Sequence, residues 1–338
     1  MGITKNILRS LRRRLVGDRR FGDILAGHFT PIDDAEARRD LFARSVRLVE
    51  VEVHSFCNRV CWFCPNAFID RRSETFYLDE AIYRRLLDDL ADVDYNGVLT
   101  FSRYCEPFAD EVFYGRLETA RRMLPGACMH TNTNGDYLND ETLARAERAG
   151  LDRIYIQLYL ARDEVFGRDA VDVVADRMRK RVPSVDFVPE RPRPGRIGWS
   201  GRFGGMTVRM YARDFRAAGV NRCGVDLATP VTRTSPCFRP FTDLYVDYNA
   251  AVVPCCNLRS DYPPHAAAVL GTLDAEPGAI FRVYAGRKAA AWRRALFSFA
   301  PKTFPCEDCT FDAIDDTPVN RRRLRRLRER FASVLEET

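Results

Sequence analysis

Long apolar segments are missing from this sequence of 338 residues. No run of 18 apolar residues occurs, so no helix is predicted to cross a membrane. The N-terminal residues contain no apolar segment of the signal-peptide type, so secretion is not expected. Eleven cysteines without such a signal favour metal ligands in a reducing compartment over disulfides. The sequence therefore predicts a soluble cytoplasmic protein.

A broadly basic surface is also missing, although the formal net charge is +6. Residues 1–20 carry seven Lys or Arg against Asp18, and residues 321–330 carry seven Arg against Glu329. The rest of the chain therefore sums to about −6, which argues against nucleic-acid binding. Both ends have the apolar spacing of amphipathic surface helices. Contact with a membrane, an acidic partner or a phosphorylated substrate is the alternative for these ends.

Strand-like segments alternate with amphipathic helices, which predicts a parallel α/β sheet in the form of a partial barrel. Strands are expected at 47–53, 97–102, 127–131 and 152–159, with helices at 78–93, 110–124, 140–149 and within 162–181. Residues 185–188 and 206–210 are candidate strands, and the Pro-, Gly- and Arg-rich segment 189–205 between them is expected to be a loop. No clear helix separates these segments, which allows a barrel shorter than six units.

A cysteine run follows the first predicted strand directly. Cys57, Cys61 and Cys64 form a C-x₃-C-x₂-C pattern. Three thiolates this close can point at one centre, and soft thiolates select iron–sulfur clusters or zinc. A [4Fe–4S] cluster usually takes four cysteines, so three would leave one iron open to another ligand. A zinc knuckle or a group of buried thiols is the alternative.

This run, with the aromatic Phe63 before its third cysteine, resembles the cluster loop of the radical SAM superfamily. The resemblance implies a partial (β/α)6-type barrel. It also implies a [4Fe–4S] cluster on Cys57, Cys61 and Cys64 whose open iron binds S-adenosylmethionine (SAM). The electron for SAM cleavage would come from an external one-electron reductant, a flavodoxin or ferredoxin.

Further polar residues lie at or just after the carboxyl ends of the next predicted strands, where parallel barrels bind ligands. They are Glu106, Thr133, Asn134, Gln157 and Tyr159. By the same resemblance, Glu106 would accept hydrogen bonds from the SAM ammonium, and Thr133 and Asn134 would lie near the ribose. The usual Gly-Gly-Glu motif is Tyr104-Cys105-Glu106 here. A solvated loop carboxylate and a simple turn are the alternatives for Glu106 and Asn134.

A second group of cysteines follows residue 236: Cys237, Cys255, Cys306 and Cys309. A predicted hairpin at 241–253 would bring the first two together, and the last two form a C-x₂-C pair. Four thiolates suit structural zinc or a fully ligated [4Fe–4S] cluster. Beside the first run, this pattern resembles the SPASM/twitch extension with its auxiliary cluster, most closely that of the 2-deoxy-scyllo-inosamine dehydrogenase type. Cys256 is the alternative to Cys255.

Four regions are expected on this basis. They are a helical lead-in at 1–46, a radical SAM partial barrel at 47–236, a twitch/SPASM-like iron–sulfur domain at 237–312 and a basic C-terminal helix at 313–338.

The resemblance implies hydrogen abstraction from a sugar, aminocyclitol or nucleoside in natural-product (antibiotic) biosynthesis. Oxidation, epimerisation and tunicamycin-type carbon–carbon coupling remain open, and epimerisation would need a thiol from among Cys105, Cys128, Cys223 and Cys256. A peptide-modifying SPASM enzyme is a second hypothesis. It is disfavoured because only 46 residues precede the first strand and only four clustered cysteines remain. A zinc-stabilised binding scaffold is the third.

Overall fold

A computed structural model describes residues 25, 27–227 and 231–335. The basic helix predicted for the N-terminal residues lies outside this part of the chain. The helices are α1 Ala35–Ser45, α2 Glu80–Ala91, α3 Val112–Met123, α4 Asp140–Arg148, α5 Arg168–Arg181, α6 Phe215–Ala218, α7 Arg239–Thr242, α8 Ala279–Tyr284, α9 Arg287–Leu296, α10 Pro318–Arg330 and α11 Ala332–Leu335. The strands are β1 Leu48–Val51, β2 Val98–Phe101, β3 Cys128–Thr133, β4 Arg153–Leu158, β5 Val188–Pro189, β6 Arg196–Phe203, β7 Met206–Arg213, β8 Asp243–Val246, β9 Ala251–Val253 and β10 Gly271–Thr272.

These strands form one ten-stranded sheet in the order β10-β9-β8-β1-β2-β3-β4-β7-β6-β5. Its centre is parallel from β8 to β7, and the strands at both ends are antiparallel. The predicted α/β fold with a parallel sheet is therefore confirmed. Because the carboxyl ends of the parallel strands meet at one edge, the residues that follow β1, β2, β3 and β4 are brought together there.

The amphipathic helices form where the sequence predicts them. In α2, Asp79 caps the helix by accepting hydrogen bonds from the backbone of Ala81 and Ile82. Leu86, Leu87 and Leu90 recur at helical spacing and are buried in the main core against the sheet. Helical periodicity thus decides which face of each helix covers the barrel.

The prediction of a loop at 189–205 is wrong, since Arg196–Phe203 is an eight-residue strand paired with β7. Its glycines permit close packing: a Cβ on Gly201 would lie 2.5 Å from the carbonyl oxygen of Asp186. Gly204, with φ +50°, forms the hairpin turn into β7. The glycines that allow β6 to pack closely against its neighbours also give the segment a composition typical of loops.

The hairpin predicted at 241–253 is confirmed as β8 and β9. Its first strand pairs in parallel with β1, so the second cysteine region is joined to the barrel sheet. The predicted C-terminal helix is confirmed as α10. Its buried Leu324 packs in a second apolar cluster with Phe29, Phe241 and Phe297. In the described part of the chain, no helix is long and apolar enough to cross a membrane.

Candidate active site

The first cysteine loop leaves the carboxyl end of β1 and is held by backbone hydrogen bonds. The amide of Cys57 donates to the carbonyl of Arg71 at 3.1 Å, and the amide of Cys64 donates to the carbonyl of Cys61 at 2.9 Å. Burial raises the pKa of Cys57 to about 11 and that of Cys61 to about 12, and the neighbouring cysteines add to both shifts. The three thiols therefore lie close together and are neutral until a cation binds them.

No group of three Cys, His, Asp or Glu side chains among the described residues is placed to hold a single metal ion. A single ion needs all its ligands in contact with one centre, whereas a four-iron cluster holds its cysteines apart by the width of the cube. All eleven cysteines are free of disulfides. The close, thiol-only donor set of Cys57, Cys61 and Cys64 fits a soft iron–sulfur group.

Glu106 follows β2 and reaches the end of β3. Its carboxylate accepts hydrogen bonds from the hydroxyl of Thr133 at 2.5 Å, the amide of Asn134 at 2.7 Å and the amide of Phe108 at 3.3 Å. A carboxylate offers about four lone-pair sites, so one more donor can bind. Burial raises the pKa of Glu106 to about 7, and these donors partly offset that effect. Glu106 is therefore a buried, hydrogen-bonded acceptor and not a solvated loop carboxylate.

A small cavity of about 90 Å³ brings most of the predicted residues together. Its walls include Cys57, Cys61, Phe63, Cys64, Glu106, Thr133, Asn134, Gln157 and Tyr159. Phe63 stacks flat on Phe215, with ring centroids 3.7 Å apart. The residues predicted from four separate strand ends thus surround one space.

A second group of hydrogen bonds connects the first cysteine loop to the segment after β3. Arg59 donates to both carboxylate oxygens of Asp136, at 2.6 and 2.5 Å, and Asn58 donates to one of them at 2.8 Å. Asn134 in turn donates to the side-chain oxygen of Asn58 at 2.8 Å. The segment of Asn134 is therefore a structured part of the site and more than a simple turn.

The Glu106→Gln variant is expected to bind SAM about 10- to 100-fold more weakly, because a charge-assisted hydrogen bond to the ammonium is lost. Iron loading should stay unchanged, since Glu106 supplies no thiolate. Equilibrium binding of SAM to the reconstituted protein measures the effect. Glu118→Gln removes an exposed carboxylate of α3 and is the matched control. Equal affinity in both variants would show that Glu106 does not contact SAM.

A larger cavity of about 260 Å³ opens beside Cys64 and runs into the barrel interior. Its wall includes polar side chains from β1 to β4 and β7: Glu50, Thr100, Ser102, His130, Asn132, Tyr155, Gln157 and Tyr211. Ser102 donates to Glu50 at 2.7 Å and accepts from Asn132 at 3.1 Å. Burial raises the pKa of Glu50 to about 7. The interior thus offers hydroxyl, amide and carboxyl groups next to the first cysteine loop.

The second group of cysteines surrounds a buried arginine. Cys237, Cys306 and Cys309 all lie near enough to Arg233, which is 4% exposed, to interact with its charge once they are deprotonated. Within the described part of the chain, its guanidinium donates only to backbone carbonyls, those of Ser235, Pro236, Cys309 and Phe311. Lys302, 6% exposed, also lies near Cys237 and Cys306. Neither cation forms an ion pair with a carboxylate of the described residues, so an anionic group bound by the cysteines would stabilise both.

The adjacent Cys255 and Cys256 share a hydrogen bond, which raises the pKa of Cys255 and lowers that of Cys256. Cys255 also interacts electrostatically with Cys309. Cys256, in contrast, lines the large cavity near Arg239. This arrangement favours Cys255 as the fourth member of the second group, and that assignment stays a prediction.

The model of the radical SAM superfamily matches residues 51–188. The chain carries a radical SAM domain. The match begins within β1 and contains the first cysteine loop, Glu106, Thr133, Asn134 and Gln157. The resemblance predicted from the sequence is confirmed, and such a domain uses a [4Fe–4S] cluster and SAM. The SPASM/twitch assignment and the auxiliary cluster stay predictions.

The radical SAM domain has a curated relative, the S-adenosyl-L-methionine-dependent 2-deoxy-scyllo-inosamine dehydrogenase of Niallia circulans. It is 30% identical over 139 residues, which are 41% of this chain. The match spans 55% of the length of that relative.

Two crystal structures of BtrN share the fold. The complex with AdoMet and 2-DOIA has a TM-score of 0.52 and 24% identity, covering 74% of this chain and 87% of BtrN. An open conformation has a TM-score of 0.50 and 20% identity, covering 78% and 92%. These two likenesses concern the fold.

Sequence reasoning missed the charged residues that connect the two cysteine regions. Arg71 donates to Glu52 at 3.3 Å and to Asp261 at 2.8 Å. Arg259, which follows Cys255 in the chain, donates to Asp261 at 2.7 Å and to Asn66 of the first loop at 2.9 Å. No local pattern marks these residues, because their partners lie up to 193 residues away in the chain.

Proposed function

We propose that the protein is a radical SAM enzyme that oxidises a sugar, aminocyclitol or nucleoside at a C–H bond next to a hydroxyl group. The observation that carries this proposal is the polar cavity that opens beside Cys64, with Glu50 and Ser102 in its wall. A hydroxylated small molecule can hydrogen-bond to the lone pairs that Glu50 and Ser102 still offer, whereas an apolar substrate would give these groups no further hydrogen bond. The dehydrogenase relative supports the same substrate class.

A [4Fe–4S] cluster on Cys57, Cys61 and Cys64, with SAM bound, would supply the 5′-deoxyadenosyl radical that removes a hydrogen atom from the substrate. Glu106 would hold the ammonium end of SAM, and Thr133 and Asn134, which donate to its carboxylate, fix Glu106 in place. Phe63, stacked on Phe215, keeps bulk water from the cysteine loop. Glu50, with its pKa near neutrality, accepts the proton that an alcohol loses when it becomes a carbonyl.

After loss of a hydrogen atom and a proton, the substrate must still lose one electron, and the second cysteine group would accept it. Four thiolates around a metal group carry net negative charge, which the buried Arg233 and Lys302 would balance. Zinc would satisfy the same charge but cannot accept an electron. A nearby positive charge stabilises the reduced form of an iron–sulfur cluster and raises its potential. We therefore assign this group to an auxiliary [4Fe–4S] cluster that accepts the substrate electron.

Anaerobically reconstituted protein is expected to contain about eight iron atoms per chain, the sum of two four-iron clusters. Metal analysis, with zinc measured in the same sample, gives the result. A Cys306→Ser/Cys309→Ser variant should drop to about four and serves as the matched sample. About four irons and one zinc in the unmodified protein would contradict the auxiliary cluster and leave the first cluster standing.

Epimerisation is the second candidate, because the thiol of Cys256 lines the same cavity as Cys64. In that reaction Cys256 would donate a hydrogen atom to the substrate radical, and a one-electron reductant and a proton would restore the thiol. Turnover in deuterated water separates the two reactions. An epimer would carry solvent deuterium at the reacting carbon, whereas oxidation gives a carbonyl.

A further inference from the structure

The outward face of α10 carries four neighbouring arginines: Arg322, Arg323, Arg325 and Arg326. All four are exposed. By contrast, Arg321 pairs with Asp316, and Arg328 donates to the carbonyl of Phe297. None of the four forms an ion pair or hydrogen bond with the residues that the structure describes. Four uncompensated charges on about one and a half helical turns produce a strong local positive potential.

The opposite face of the same helix is already occupied. Leu324 is buried at 6% exposure, and Leu327 packs beside it against the apolar cluster that contains Phe297. A helix that binds a membrane inserts its apolar face between the lipids, and this face is not available. Apart from Val319 in the first turn, which is 45% exposed, the exposed side of α10 therefore offers mainly charge, which suits an acidic macromolecule.

The position of α10 connects this surface to the second cysteine group. The amide of Cys237 donates to the carbonyl of Leu296 at 3.0 Å, and Arg328 donates to the next carbonyl, that of Phe297. Lys302 interacts electrostatically with Arg328 and also with Cys237 and Cys306. Residues 296 and 297, which contact Cys237 and Arg328, therefore lie between the arginine face and the cysteines, so the two are separated by at least the diameter of one helix, about 10–12 Å.

We propose that this arginine face is the docking surface of an acidic one-electron carrier protein that exchanges electrons with the second cysteine centre. The inference rests on the proposed function, in which that centre holds one substrate electron after each oxidation. The centre loses this electron, the oxidised flavin or iron–sulfur group of the carrier gains it, and no atom is transferred. A nucleic acid is disfavoured, because the rest of the chain, outside residues 1–20 and 321–330, sums to about −6.

Binding of a purified acidic bacterial flavodoxin to the full-length, reconstituted protein tests the proposal. The variant replaces Arg322, Arg323, Arg325 and Arg326 by Gln, which keeps helix propensity. Its affinity is expected to fall at least about tenfold at low salt, and the salt dependence of binding should largely disappear. The matched control replaces four exposed cations on α3, α4 and α5: Arg122, Arg148, Arg177 and Lys180. The control should bind within about twofold of the unmodified protein.

Equal losses in both variants, or no loss in either, would overturn the proposal, because neither result assigns docking to α10. Loss of binding to anionic phospholipid vesicles or duplex DNA, with flavodoxin binding retained, would overturn it in favour of those partners. Iron content and 5′-deoxyadenosine formation with a chemical reductant are measured on the same samples. If the docking proposal fails while the protein holds eight irons, the proposed function stands. If the unmodified protein holds only four irons, its electron-exchange role is overturned.

Discussion

Alanine in place of Cys57, Cys61 or Cys64 is expected to lower 5′-deoxyadenosine formation by at least about 10³-fold. The three thiolates act as one unit, so the loss of any one removes the group that reduces SAM. With one cysteine removed, a second iron of the cluster has no protein ligand, so the cluster is not retained. Anaerobic incubation with SAM and a chemical reductant, followed by chromatography of the nucleoside, measures the rate.

Two further variants serve as controls for this loss of 5′-deoxyadenosine formation. Cys128→Ala changes a thiol of β3 that is absent from the walls of both cavities, so SAM cleavage should stay within about threefold. Cys306→Ser/Cys309→Ser should retain SAM cleavage and lose substrate oxidation. Normal 5′-deoxyadenosine formation in the variants of the first loop would refute the assignment of Cys57, Cys61 and Cys64.

Local sequence patterns were sufficient where each element contains its own signal. The spacing of Leu86, Leu87 and Leu90 predicts the buried face of α2, and the alternation of strands and helices predicts the parallel sheet. The parallel topology then brings Glu106 and Thr133 to the cysteine loop, because residues at the carboxyl ends of adjacent strands become neighbours.

Patterns failed where packing between distant segments decides the conformation. The segment around Gly201 has the composition of a loop, yet it forms β6 because its glycines accommodate the backbone of Asp186. Arg233 has no motif, and its importance comes from three cysteines that converge on it in space. Burial and the absence of a carboxylate partner are properties of the folded chain, so single-sequence reasoning could not find them.

The Arg259→Met variant is expected to lower the free energy of unfolding by about 3–5 kcal/mol, the usual cost of removing one partner from a buried ion pair. Arg259 is fully buried, and its guanidinium donates at 2.7 Å to each carboxylate oxygen of Asp261 and at 2.9 Å to Asn66. It also lies 4.6 Å from the ring centroid of Tyr104. Methionine fills a similar volume but leaves the carboxylate and the amide oxygen with fewer donors.

The consequence should extend beyond stability, because Asn66 follows Cys64 by two residues and donates to the carbonyl of Tyr104 at 2.9 Å. Loss of Arg259 therefore loosens the first cysteine loop, and iron loading should fall together with the urea midpoint. Arg282→Met is the control: Arg282 pairs with Asp274 at 2.6 Å, but the two side chains are 37% and 57% exposed, so its loss should cost at most about 1 kcal/mol. Equal unfolding free energies for the two variants would show that the contacts of Arg259 do not hold the two cysteine regions together.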